Sequence, residues 1–434
     1  MRHLRPAALM AVLAGCVAVA PAAAEPAPRT ERVSVAADGT QADREIGGAD
    51  LSGDGRFVVL RSMATNLVPG TPDIQHRVYV KELRTGRIEL VSVASDGTPA
   101  NGASWSSSIS ADGRYVVFDS EATNLAPGRN PGTNGDVFLR DRATGRTEVL
   151  VENKGTRPAH SGSPSISADG RYVAFASTRD DLVPGDTNET SDVFVRDRLK
   201  GTTKRVSVTS AGAQADGFSV SPVISADGST VAFKSIARLA PWPGAGLRKP
   251  QARTFYAHDL RTGRTQLAAQ RLDGGPAAVQ GTQSLSPDGR YALFASSSDG
   301  VVEGDTNGVT DVFAKDLRTG VTRRLSLASD GTQGDGASGD AVFSAGNRRV
   351  FFTSDAANLV PGDTNGAGDV FARDLATGKV ERVSLAHDGS QGNGRSAAPS
   401  TDLAGKTLVF TSAADNLVPG DTNAVYDAFV RRLG

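Results

Sequence analysis

Residues 166–175 read ISADGRYVAF, and the chain carries this decamer six more times in recognisable form. The copies are LSGDGRFVVL from Leu51, ISADGRYVVF from Ile109, ISADGSTVAF from Ile224, LSPDGRYALF from Leu285, FSAGNRRVFF from Phe343 and TDLAGKTLVF from Thr401. Successive starts lie 58, 57, 58, 61, 58 and 58 residues apart, the signature of a repeat array rather than of scattered elements in one ordinary domain.

Working outward from Ile166, one period resolves into four strands. Ser161 to Ser167 leads into the turn Asp169-Gly170, the apolar run Arg171 to Ser177 and a long loop; Ser191 to Arg198, the turn Leu199-Lys200-Gly201 and Thr203 to Val208 follow. Asp-Gly between two β-rich runs predicts a hairpin, because the turn needs a positive φ that Gly adopts without steric cost. The second and third strands are almost continuously apolar (Tyr172, Val173, Ala174, Phe175; Val193, Phe194, Val195), as expected of small sheets covered on both faces. Seven such four-stranded antiparallel sheets around an axis make an all-β, seven-bladed β-propeller. The last unit stops at Gly434 with only three strands, whereas Glu31-Arg32-Val33-Ser34-Val35 matches the fourth-strand sequence Lys204-Arg205-Val206-Ser207-Val208. The N-terminal segment is therefore predicted to complete blade seven, leaving no open sheet edge.

Residues 25–434 are read as this single domain, preceded by a secretion signal at 1–24: Arg2 and Arg5, an apolar stretch from Ala7 to Ala20, and the small residues Ala22 to Ala24. Leu13-Ala14-Gly15-Cys16 also forms a candidate lipobox, so the expected location is extracellular or the cell envelope, either free or anchored through Cys16. No other run approaches the roughly 20 apolar residues of a membrane-spanning helix. Cys16 is the sole cysteine, so no disulfide is expected in the mature chain. Removing Arg2 and Arg5 takes the formal charge from −1 to −3, which offers no basic field for nucleic acid. A monomer is expected.

The core S-x-D-G-R-Y-x-x-F followed by D-V-F-x-R-D-x-x-T-G resembles the WD-like repeats of TolB-type propellers over nearly the whole mature chain. That resemblance implies the propeller architecture and a range of roles: protein-binding platforms, domains beside serine peptidases, and some polysaccharide lyases. The α/β domain that precedes the propeller in TolB has no counterpart between Ala24 and Val33.

Function is expected on one face. The Asp-Gly and Thr-Gly turns share one rim, while the long loops, such as Asp355 to Gly368 and the between-blade segment Ser329 to Ser338, share the other, where binding residues can collect on a rigid scaffold. Repeated residues are assigned to the blade itself. Asn66-Leu67-Val68-Pro69-Gly70 and its copies are expected to tuck Leu and Val under the rim, and Asp141, Asp197, Asp259, Asp316 and Asp374 to bind turn amides. Gly-Asp-Thr-Asn segments supply Asp186, Asn188, Asp192; Asp305, Asn307, Asp311; Asp363, Asn365, Asp369; and Asp421, Asn423, Asp427. These are hard oxygen donors of the type calcium prefers, yet fewer than an established calcium loop provides, and Asx-turns account for the same residues. Calcium is the one cofactor the chain suggests.

Blades two and four break the repeat. Blade two adds Trp105 and an insertion around Arg129-Asn130-Pro131; blade four has Trp242, Pro243, Arg248, Lys249 and Arg253, and Thr254-Phe255-Tyr256 in place of Asp-Val-Phe. Trp105, Trp242, Arg248, Arg253 and Tyr256 are the ligand-contact candidates, since Trp, Tyr and Arg commonly anchor interfaces. No G-x-S-x-G, H-E-x-x-H or cysteine nucleophile is present, and His76, His160, His258 and His387 read as separate surface histidines. The favoured reading is a non-catalytic platform binding a protein or glycan through the loop-rich rim. The alternative is a glycan lyase or hydrolase with acids near the central channel.

Overall fold

In a computed structural model the described residues are 29–71, 73–127, 135–150, 160–243, 253–433. They form seven four-stranded antiparallel sheets, a seven-bladed β-propeller. Blade three runs Ser161–Ile166, Tyr172–Ser177, Asp192–Asp197 and Thr202–Arg205, within a residue or three of the expected bounds. The first strands of adjacent blades contact one another and therefore line the axis. Among the described residues no helix is long and apolar enough to cross a membrane. The expected secretion signal at 1–24 and Cys16 lie outside them.

Blades two to seven are each held by paired rings at their centre. Phe118 and Phe138, Phe175 and Phe194, and Phe294 and Phe313 stack with centroids 5.5–5.8 Å apart. In blade four Tyr256 takes the second Phe's place against Phe233, at 6.2 Å. The Asp-Gly turns form as expected, with φ between 66° and 71° at Gly55, Gly113, Gly170, Gly228 and Gly289. Here only Gly fits: a Cβ on Gly113 would stand 2.2 Å from the Phe57 ring of the preceding blade.

The ring closes through the N-terminus. Arg29–Arg32 pairs antiparallel with Asp427–Arg432, and the Val33 amide donates to Ala428 O at 2.9 Å. Around the turn-side mouth, backbone amides pass hydrogen bonds from blade to blade: Asp54 to Ala111, Ala111 to Ala168, Ala168 to Ala226, Asp227 to Pro287, Ala345 to Leu403 and Leu403 to Gly53, at 2.7–3.0 Å. Among the described residues no such backbone bond joins blades five and six; Asn347 Nδ2 to Asp288 Oδ2, at 2.9 Å, bridges them instead. Between-blade loops are more ordered than their composition suggested. Six of them, among the described residues, pair a residue after the fourth strand with one six residues on, as in Val208 with Gln214 and Leu385 with Gln391.

Candidate functional site

The axial channel is apolar on the turn side and polar on the loop side. Toward the turns Leu51, Ile109, Ile166, Ile224, Leu285 and Phe343 narrow it. Toward the loops it widens into a funnel of about 660 Å³ walled by Asp50, Ser107, Ser163, Ser221, Lys234, Gln283 and Ser400. The wall is built by a β-bulge in the first strand of each blade, where the register slips by one or more residues. Four bulges put a non-glycine residue in the left-handed region: Ser163, Ser221, Asp340 and Ala398, with φ of 45–53°. Such backbone costs on the order of 1 kcal/mol per residue and persists where the surrounding structure imposes it.

One residue in this wall departs from its copies. Beside the apolar ring the chain places Asp50, Ser108, Ser165, Val223, Ser284, Val342 and Ser400 in equivalent positions. The serines tie neighbouring blades together: Leu51 N donates to Ser400 Oγ (3.1 Å), Ile166 N to Ser108 Oγ (3.3 Å) and Ile224 N to Ser165 Oγ (3.1 Å), while Ser284 Oγ donates to Ala341 O (2.6 Å). Asp50 instead is exposed in the channel lining. The protein walls around it still push that carboxyl up to about 6, against the opposing pull of the Ser400 hydroxyl and the Arg61 charge.

Above Asp50 the charges come from one position of the second strand, occupied by Arg61, Asp119 and Lys234 in blades one, two and four and by Ala or Thr elsewhere. Asp119 accepts the Ser106 amide at 2.8 Å. Burial raises its pKa, offset in part by that amide and by the charge of His160. Gly162 makes room for this pair, since a Cβ there would meet His160 at 2.7 Å and Asp119 at 3.1 Å. Lys234 Nζ donates to Gly281 O at 3.0 Å, and burial, then the Arg253 charge, lowers its pKa. At the lip Trp105 lies against His76, centroids 4.3 Å apart.

The sequence candidates therefore separate. Trp105 is half-buried at the channel mouth, whereas Trp242 packs on the core of blade four beneath Arg238, 4.9 Å away. Arg253 is exposed and stands 5.3 Å over the Phe218 ring. Arg248 and the insertion at 129–131 lie outside the described residues. Tyr256 must be corrected: it is fully buried and its hydroxyl donates to Ala237 O at 2.9 Å, so no ligand can reach it. His258 is likewise no surface histidine. It is buried against Thr265 Oγ1 at 2.8 Å, and burial pulls its pKa down to about 4. Asp50, Asp119 and Lys234 escaped the sequence reading, although aligning the seven first and second strands exposes each as the charged copy of a mostly uncharged position.

The repeated acids behave as blade elements. Asp197, Asp259, Asp316 and Asp374 each accept two turn amides at 2.8–3.2 Å, and Asp141 accepts one at 3.1 Å. Leu67, Leu359 and Leu417 are buried beneath the loop rim as expected. At the Gly-Asp-Thr-Asn segments a fourth-strand arginine stands between the two acids. Arg205 reaches Asp186 and Asp192, Arg324 reaches Asp305 and Asp311, Arg382 reaches Asp363 and Asp369, and Arg32 reaches Asp421 and Asp427, all within 3.0–3.6 Å. Blade four, with Thr254 and Leu267 at the corresponding positions, lacks both charges. Among the described residues no group of three or more His, Cys, Asp or Glu is placed to hold a metal ion. A calcium ion at these loops would have to share its two carboxylates with the guanidinium. Chelation by EDTA should accordingly leave the melting midpoint unchanged; a fall restored by added calcium would assign the cation role to the metal.

No protein-family model matches the chain. No curated protein matches it in sequence. Solved structures do match in fold. Oligogalacturonate lyase in complex with manganese is 14% identical, with TM-score 0.54 over 93% of both chains. Oligogalacturonate lyase from Vibrio parahaemolyticus is 12% identical, with TM-score 0.55 over 93% of both. The β-propeller domain of the Trilobed protease from Pyrococcus furiosus is 12% identical, with TM-score 0.53 over 89% of this chain and 93% of that one. These likenesses identify the chain as a β-propeller and carry no activity with them.

Proposed function

We propose that the protein is an exported, extracellular or envelope-associated, non-catalytic platform that takes a protein or glycan group into the loop-side funnel of its channel. The observation that carries this reading is the funnel itself: narrowed behind by an apolar ring, hydroxyl-lined, and carrying Asp50, with Trp105 and His76 in contact next to the Ser106–Ser107 wall. A hydroxyl-rich wall with an aromatic face at its edge suits a group that presents both polar edges and an apolar face. A glycan array together with a pulldown of envelope proteins would find the ligand. Trp105→Ala should then weaken binding about tenfold or more, the loss of a buried aromatic anchor, while Trp242→Ala changes it little. Equal losses from the two variants would remove the channel mouth from the reading.

Asp50 favours one alternative, a glycan lyase or hydrolase. A carboxyl with a pKa near 6 can hold or release a proton at neutral pH, the condition for general acid–base work. Asp50→Asn would abolish turnover in that case and leave folding intact. Because the folded pKa is raised, ionised Asp50 opposes folding as pH rises through about 6. The Asn variant should lose that part of the pH dependence.

A further inference from the structure

On the opposite, turn-side rim a cavity of about 600 Å³ opens between blades four and five. Its origin lies in two substitutions. In blades two, three and five the arginine of D-G-R-Y lies over its own tyrosine, 4.7–4.9 Å from the centroid, and pairs with the third-strand acid at 2.6–2.8 Å. The tyrosine of blades two and three then fills the junction against the next blade's glycine: a Cβ on Gly170 would stand 2.4 Å from Tyr115, and one on Gly228 2.7 Å from Tyr172. Blade four has Ser229 and Thr230 at these places. Ser229 and Thr230 still close on Gly289, where a Cβ would meet Thr230 Oγ1 at 2.6 Å, but neither ring nor guanidinium covers them and the space outside is left open.

The lining of this space is cationic in its free donors. Arg261 and Arg264 from blade four and Arg318 from blade five line it, and none of their side chains has a hydrogen-bond or ion-pair partner among the described residues. Arg290 also lines it but is held by Asp316. Three carboxylates share the lining, each bound to local turn donors, and Asp259 lacks the arginine that pairs with its copies in blades two, three and five. Asp259 accepts the amides of Arg261 and Thr262, Asp227 the Ser225 and Ser229 hydroxyls and the Ser229 amide, and Asp288 the Ser286 hydroxyl, the Arg290 amide and Asn347 Nδ2. Behind the wall the buried Lys315 ammonium donates only to Leu267 O and Gln270 Oε1, adding a positive charge that no carboxylate pairs.

Three free guanidinium forks around a cavity match a tetrahedral oxyanion, which offers several acceptor oxygens to planar donors at once. We infer that the blade four–five cavity is a binding site for a small phosphate-bearing molecule, on the face opposite the proposed ligand funnel. The Thr262 hydroxyl, which accepts the Arg264 amide and keeps its own hydrogen free, stands at the same wall to donate to a remaining oxygen.

Calorimetric titration of the full chain with inorganic pyrophosphate tests this. Saturable one-to-one binding is expected, weakened about tenfold or more by Arg261→Gln with Arg264→Gln. A second variant, Ser229→Arg with Thr230→Tyr, rebuilds the pair found in blade three and should abolish binding by filling the cavity while raising the melting midpoint. Both variants should bind a ligand of the loop-side funnel as the wild type does, which separates this site from that reading. Absence of saturable binding to the wild type overturns the inference, as does undiminished binding in either correctly melting variant.

Discussion

Deleting residues 29–37 abolishes the single cooperative melt of the ring. The segment gives more than a strand: Val33 and Ser34 are buried, the Thr30 hydroxyl donates to Leu385 O of blade six, and Ser34 Oγ donates to Asp427 Oδ1 at 2.6 Å. Burying one valine contributes roughly 1.5–3 kcal/mol. A larger cost arises on the side left behind. Without Arg32 the buried Asp427 and the nearby Asp421 lose the guanidinium between them, and leaving buried charge uncompensated costs about 3–5 kcal/mol. The edge of Asp427–Arg432 is also exposed, a template for pairing with another chain. Scanning calorimetry should replace one transition by a broad or aggregating one. An unchanged sharp melt would show that blade seven stands without its fourth strand.

Arg382→Leu should cost about 3–5 kcal/mol in chemical denaturation, although it removes one side chain at the blade edge. Arg382 lies 3.1 Å from both Asp363 and Asp369, and Asp369 also accepts Ser384 Oγ at 2.6 Å. Burial already raises the Asp369 pKa, with the guanidinium, the serine and Gln391 opposing it. Removing the guanidinium raises it further. A carboxyl whose folded pKa lies above its unfolded value takes up protons on folding, so stability falls as pH rises through the folded pKa. The penalty of Arg382→Leu should therefore be large at pH 7 and shrink toward pH 4. A penalty independent of pH would mean that packing, not charge, holds Arg382 in place. Arg382→Lys, which keeps the charge without the two-pronged geometry, should fall between.

The cation between these acids shows where reading along the chain stopped. Gly-Asp-Thr-Asn presents its oxygens within seven residues, and local spacing raises calcium as a question. Local spacing does not show Arg205, Arg324, Arg382 and Arg32, which strand pairing alone brings back to the acids, in the last case across almost the whole chain. Tyr256 misled for a related reason. It broke the Asp-Val-Phe pattern and looked selected for contact, but it substitutes for a core phenylalanine whose place only the Phe233 ring defines. Asp50 is visible in an alignment of the seven copies; that the neighbouring serines are consumed in blade-to-blade bonds while its carboxylate faces the channel is a property of the assembled ring.

By itself the sequence determined the number of blades, the strands within each, the turns that join them and the segment that closes the circle. Those follow from local chemistry: Asp-Gly turns with positive φ, short apolar runs, and a fourth-strand motif at the wrong end of the chain. Only the tertiary structure decided which charges are spent inside the scaffold and which remain free, because each pairing joins residues on different strands or blades. Where each side chain ends up in the packed ring, and not residue type, sets Asp50 and the arginines between blades four and five apart from their copies.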